Sequence, residues 1–338
     1  MRLKACQMPD SFFVKSSADA SPRRKHGGDD RLLLGRNLLL AFIAAATVGR
    51  AEQEGDFAYV SDGAQITITG YSGADDAISI PAVIGGLPVT AIGDRAFYQG
   101  RFSGVTIPTG VTHIGIQAFS DCLWLTSVAI PGGVTNIGHS AFYQCQFLTG
   151  VTLPESLATL GDHAFYCCGL TGVTIPDSVT SIGTGAFALD YGLEQIMIGR
   201  GVSHIGEGVF AYTALATIAV DPANPSYCAP DGVLYDKAQT MLLAFPPSKS
   251  GTYDIPVGVT AIGASAFTGC FGLTGVSIPE TVAAIGKKAF SGCASLTGVT
   301  IPSGVAVIED NAFSQSGLTG VTIPDGVTAI GEAAFAYC

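Results

Sequence analysis

The last 22 residues, "GLTGVTIPDGVTAIGEAAFAYC" (317–338), spell out a unit that the chain has already used at 272–293, "GLTGVSIPETVAAIGKKAFSGC", and at 169–190, "GLTGVTIPDSVTSIGTGAFALD". Its chemistry reads from left to right. Val321 and Ile323 lie two residues apart and so share one face of an extended strand, while Gly320 and Thr322 point to the other. Pro324 has no amide proton to give and ends that strand. Val327 and Ile330 then return to the apolar side, Gly331 permits a sharp bend, Ala334 is small where backbones crowd, and Phe335 fills the middle of the coil. One such turn cannot bury its own apolar face, whereas stacked turns can.

The Ile-Pro position, or its equivalent, recurs at Ile107, Ile130, Leu153, Ile175 and Ile198, and again at Ile255, Ile278, Ile301 and Ile323. A degenerate earlier unit starts at Ile80-Pro81. A period of 22–23 residues with L-x-x-L-x-L spacing specifies a leucine-rich-repeat solenoid, with turns about 4.8 Å apart in a parallel β-sheet on the Leu-Thr-Gly-Val-Thr-Ile strand and short helical or turn segments around Ala-Phe. Two stretches break the period. Residues 57–73 alternate around Asp62-Gly63, a hairpin signal, and are expected to form an N-terminal β-hairpin cap. Residues 221–254 hold two apolar strands around Lys237-Ala238-Gln239 and are expected to form one inserted β-hairpin projecting from the stack, or else a plain splice between blocks. The expected organisation is a targeting segment at 1–51, cap and degenerate repeat at 52–90, a first block at 91–220, the insertion at 221–254, and a second block at 255–338.

Charge divides along the chain. Residues 1–51 carry 9 Lys/Arg against 4 Asp/Glu, while the remainder carries 7 against 23, within a net charge of −11. So acidic a body is a poor electrostatic partner for nucleic acid or anionic lipid. The run 37–48 behind the basic segment is too short to span a bilayer and suits a signal-peptide core, with cleavage after Ala51; no stable membrane span is expected.

The unit "IPDSVTSIGTGAFALDYGLEQIMI" and its siblings resemble the treponemal-type leucine-rich repeat of BspA-like bacterial surface proteins over about residues 57–338. The insertion, with Tyr227, Gly232-Val233-Leu234-Tyr235 and Phe245-Pro246, resembles a spacer that such proteins often carry. The resemblance implies a secreted or surface-exposed protein, some of whose relatives act as adhesins, and it supplies no catalytic residues.

Six cysteines (Cys122, Cys145, Cys168, Cys270, Cys293, Cys338) fall three residues after the repeat's phenylalanine, in a slot that elsewhere holds Asp190, Thr213 or Ser316. A slot that accepts Cys, Ser or Thr suits a small buried side chain, so we expect a ladder of free thiols; a disulfide within the Cys122, Cys145, Cys168 run is the geometric alternative. Cys167 and Cys228 stand outside the ladder. His113 and His204 share a slot but lie four turns, roughly 19 Å, apart. His139 and His163 sit on neighbouring turns, with Asp162 beside the second. No nucleophile elbow, phosphate loop or zinc-protease motif occurs, so no catalytic residue, metal or cofactor is expected. The outward Gly and Thr rows carry few side chains of the kind that dominate interfaces. The exception is Gln195 and Met197, which adjoin the insertion. Gln195, Met197, Tyr227, Tyr235 and Phe245 are therefore the candidate partner-binding residues, for an extracellular protein or glycan. The expected function is a non-enzymatic secreted or cell-surface interaction or adhesion module. The alternative is a targeting or spacer region of a larger extracellular protein, since the chain stops at Cys338 inside a unit without the strand that would complete the turn.

Overall fold

The structure, a computed structural model, describes residues 51–338. The expected targeting segment lies almost wholly outside the described residues.

Each repeat folds into one coil of a solenoid, built in the first block from two short strands and a tight turn; in the last coils the first strand is reduced to the single bridge Thr300–Thr322. The sequence places the continuous parallel sheet on the Gly-Val-Thr-Ile strand, and here the structure differs. The long ladder runs instead through the two-residue strands that follow the proline turn: His113–Ile114, Asn136–Ile137, Thr159–Leu160, Ser181–Ile182 and His204–Ile205 pair in parallel and in register. The Gly-Val-Thr-Ile strands form shorter sheets. Ala77–Ser79, Gly104–Thr106, Ser127–Ala129 and Gly150–Thr152 make one, and Gly172–Ile175, Gln195–Ile198 and Ala219–Val220 make the next. The break falls where the unit is one residue shorter, between Leu153 and Ile175, which takes the two strands out of step.

The Ala-Phe segment makes a third ladder, and it is turn rather than helix. Each inner coil of the first block carries left-handed residues on either side of this segment, such as Gln117 and Asp121, or His163 and Cys167, with φ of 54° to 60°. That conformation is costly for side-chain-bearing residues and ends any helix. The amides so turned bond to the next coil: Gln117 N to His139 O at 2.9 Å, Phe119 N to Ala141 O at 2.7 Å and Asp121 N to Tyr143 O at 2.7 Å. Among the described residues the only helical element is a single 3₁₀ turn at Pro230–Gly232.

Inside the coil the phenylalanines stack ring on ring. Phe97, Phe119, Phe142 and Phe165 follow one another at centroid spacings of 5.0, 5.2 and 5.1 Å with planes within 5°. Coils approach so closely behind the second strand that only glycine fits: a Cβ on Gly161 would lie 2.6 Å from the carbonyl carbon of Gly138.

The cap is the expected hairpin. Phe57–Ser61 pairs antiparallel with Ile66–Tyr71, which in turn pairs parallel with Leu87–Ile92 and so closes the N-terminal end of the long ladder. Asp62 Oδ1 accepts the amides of Ala64 and Gln65 and shapes the turn.

The insertion does not project. Leu234–Asp236 and Met241–Ala244 form an antiparallel pair whose second strand joins Ala261–Ile262 in parallel, so the hairpin is itself a layer of the stack. Its strands are apolar on both faces. Leu234 and Ala244 pack into the first block's core, and Val233, Tyr235, Leu242 and Phe245 into the second's. Buried Asn224 seals the join, its side-chain amide donating to Gly199 O and Val202 O while its oxygen accepts the amides of Ser226 and Tyr227.

Candidate functional site

The outer face of the Gly-Val-Thr-Ile strands is built from the half of each strand that the core does not use. In most coils that half is Gly and Thr, so the face is smooth and polar. At Gln195–Ile198 the alternation puts Ile196 and Ile198 inside and Gln195 and Met197 outside. Met197 is 42% exposed. Here the face dips into an open hollow of about 560 Å³ lined by Thr152, Glu155, Thr174, Gln195, Met197 and Thr217 among others. Its chemistry mixes apolar side chains, among them Val151, Leu153, Pro176 and Ala219, with hydroxyls, one amide, one carboxylate and a flexible thioether, which suits contact with a surface that offers an apolar knob within a polar rim.

The five sequence candidates are not brought together. Tyr235 and Phe245 are only 1% and 3% exposed and are core residues. The Tyr235 hydroxyl bonds that of Tyr253, and the Phe245 ring stacks on Phe267 at 5.0 Å. Their place at the surface rested on the projecting reading of the hairpin; as the splice between two cores it buries both. Tyr227 is half-buried, with its hydroxyl donating to Ser203 O at 3.2 Å, and burial raises its pKa. Gln195 and Met197 remain as the exposed pair.

The cysteine slot is occupied as its chemistry suggests. Each of the six thiols points at a phenylalanine carbonyl one coil back, for example Cys122 to Phe97 O at 3.1 Å, Cys145 to Phe119 O at 3.2 Å and Cys293 to Phe267 O at 3.1 Å. Burial pushes the Cys122 thiol up to about 12 and raises Cys145, Cys168 and Cys270 well above the ordinary thiol range. Such thiols are poor nucleophiles. An alkylating reagent should therefore leave Cys122, Cys145, Cys168, Cys270 and Cys293 unmodified in the folded protein and label all five after denaturation without reductant. Mass spectrometry of the two samples reads this site by site, and failure of any of these five to be labelled in the denatured sample would refute the thiol ladder.

Asp190 occupies the same slot and has no donor to offer while ionised. Its carboxylate oxygens are fully buried and unpartnered. Burial pushes the carboxyl up to about 8, against the opposing pull of the Leu170 and Gly192 amides, which do not reach hydrogen-bond geometry. Nothing in the residue pattern marks Asp190 as more than another small polar occupant.

His139 and His163 do meet, with ring centroids 5.7 Å apart, and His163 lies 5.4 Å from Tyr166. Burial first, and then His139, lower the His163 pKa, while Asp162 raises it. No group of three or more His, Cys, Asp or Glu among the described residues could hold a metal ion. Sequence reasoning missed an exposed aromatic pair, Trp124 and Phe147, whose signal was available: both stand just before the inward leucine, where later coils carry Gly, Ala or Ser.

Coils of this period and this internal stacking define a leucine-rich-repeat solenoid. The family described as "BspA type Leucine rich repeat region" matches residues 90–216 and 244–338 in six copies, and the chain belongs to it. Among solved structures, a leucine rich cell surface protein from Faecalibacterium prausnitzii is 30% identical, with a TM-score of 0.60 over 86% of this chain and 92% of that one. The pneumococcal vaccine antigen PcpA is 21% identical, with a TM-score of 0.67 over 85% and 79% of the two chains, and shares the fold. A leucine-rich repeat protein from Eubacterium ventriosum shares it too, at 23% identity and a TM-score of 0.57 over 84% and 93%. No curated protein matches the chain. No helix among the described residues is long and apolar enough to cross a membrane.

Proposed function

We propose that the chain is a non-enzymatic interaction module, secreted or held at a cell surface, that takes part in adhesion. The observation that carries this reading is the hollow around Gln195 and Met197: one open depression with an exposed thioether on a strand face that is otherwise mostly Gly and Thr. Membership of the repeat family supports an interaction role, and the printed description of the Faecalibacterium relative as a cell surface protein supports the location. The partner on this face is an extracellular protein. The test is binding to a panel of purified extracellular-matrix proteins immobilised on a sensor surface. The double variant Gln195→Ala, Met197→Ala should weaken the strongest interaction by about tenfold or more, because a few exposed anchors carry most of an interface's energy. Its melting temperature should stay within about 2 °C of the parent, since both side chains are exposed. Binding that the double variant leaves unchanged would remove this hollow from the interface.

A further inference from the structure

A second surface lies on the turns rather than the strands. Trp124 is the chain's single tryptophan, and it stands 60% exposed. Phe147, in the same position one coil on, is 44% exposed. The two rings lie 6.2 Å apart with planes 14° from parallel. Side chains of this size are normally buried, and a solvent-facing pair held in one orientation marks a contact surface. Both residues directly precede an inward leucine, Leu125 and Leu148, both fully buried, so the backbone beneath the rings is fixed. In the following coil the equivalent residue is Gly169, just before the buried Leu170, and a Cβ there would lie 2.6 Å from Gln146 O. No side chain can stand in that place, so the ring column ends at Phe147 with no third rung.

We propose that this ledge binds a neutral polysaccharide, a pyranose ring packing against the Trp124–Phe147 pair where the column stops. The axial C–H groups of a pyranose make an apolar face of ring size, which aromatic rings accept while the sugar hydroxyls stay hydrated. The outward residues bracketing the rings in sequence are uncharged: Leu123 is 42% exposed and widens the apolar ledge, while Gln146 and Thr149 offer an amide and a hydroxyl suited to sugar hydroxyls. An acidic chain of net charge −11 disfavours anionic polymers.

The single tryptophan makes the experiment direct. The protein is titrated with cello-, xylo-, manno- and chito-hexasaccharides while Trp124 emission is followed, with calorimetry in parallel. At least one glycan should give a saturable emission change. Trp124→Ala and Phe147→Ala, read by calorimetry, should each weaken binding by about tenfold, the worth of one aromatic contact. Trp124→Phe should retain most of the affinity, which separates loss of the ring from loss of the fold. Gln195→Ala with Met197→Ala should bind the glycan normally, so failure of the strand-face reading would not mimic failure here. No saturable response to any of the four glycans at millimolar concentration overturns the proposal, as does unchanged glycan binding by Trp124→Ala. If the glycans fail and Trp124→Ala instead weakens a protein ligand, the ledge belongs to a protein interface and the proposal is wrong.

Discussion

Asp190→Asn is expected to stabilise the protein at pH 8 by several kcal/mol and to flatten its pH profile. The preceding coil places the Cys168 thiol and the following coil the Thr213 hydroxyl against a phenylalanine carbonyl, and Asp190 places in this slot a buried carboxyl with no partner. Burial of an unpaired charge is among the largest single destabilising terms available to a side chain. The folded protein answers by holding the proton: the carboxyl titrates at about 8 when folded, whereas an unfolded aspartate titrates near 3.9. Below about pH 4 both states are protonated and ionisation adds no cost. Between about pH 4 and pH 8 the folded state binds the proton and the unfolded state does not, so stability falls as pH rises, by at most about 1.4 kcal/mol per unit and about 5 kcal/mol in all. Above pH 8 the loss is complete and constant. Urea unfolding of the parent and of Asp190→Asn at pH 5, 6.5 and 8 reads this directly. The difference between them should widen with pH. Asp190→Cys, the occupant six other coils use, should behave like the asparagine variant. A parent whose stability rises from pH 5 to pH 8 as steeply as the variant's would sink the argument.

The stack itself was legible because its period repeats: every inward Val, Ile, Leu and Phe of the inner coils was placed by spacing two and three residues around a strand and a bend. What could not be read was which strand would carry the continuous ladder. Hydrogen-bond continuity depends on equal path length between coils, and the one-residue-shorter unit at Cys168-Gly169 interrupts the Gly-Val-Thr-Ile sheet while sparing the Thr159–Leu160 to Ser181–Ile182 pairing. The left-handed turn residues were equally hidden, because side-chain-bearing residues occupy most of these positions, glycine only at Gly185, Gly208, Gly269 and Gly292, and the inter-coil hydrogen bonds hold them there. Of the two readings of the insertion, the structure bears out the splice between blocks and not the projecting hairpin, for a different reason. Val233-Leu234-Tyr235 and Leu242-Leu243-Ala244-Phe245 are apolar on consecutive residues, the pattern of a strand covered on both faces, and so belong between two cores rather than out in solvent. That moved Tyr235 and Phe245 from the candidate site to the core and left Gln195 and Met197, whose outward direction follows from simple alternation within Gln195–Ile198.

The same layered construction predicts how the molecule fails. Phe142→Ala should cost about 3–5 kcal/mol, the range for deleting a buried aromatic ring that leaves a cavity. Its ring is fully buried and sandwiched, 5.2 Å from Phe119 and 5.1 Å from Phe165, so two coil-to-coil contacts are lost together. Coils of a solenoid communicate only with their neighbours, so damage at Phe142 weakens the first block before it reaches the second. The aromatic column divides at the insertion, one segment ending at Phe210 and the next beginning at Phe245, each within its own core. Unfolding of Phe142→Ala should therefore become biphasic in urea, with the first block melting early and amide protection around Phe267 and Phe290 persisting. Hydrogen exchange followed by mass spectrometry resolves the two blocks. A single transition in which both blocks lose protection together would show that the inserted layer couples the two cores more tightly than their separate packing implies.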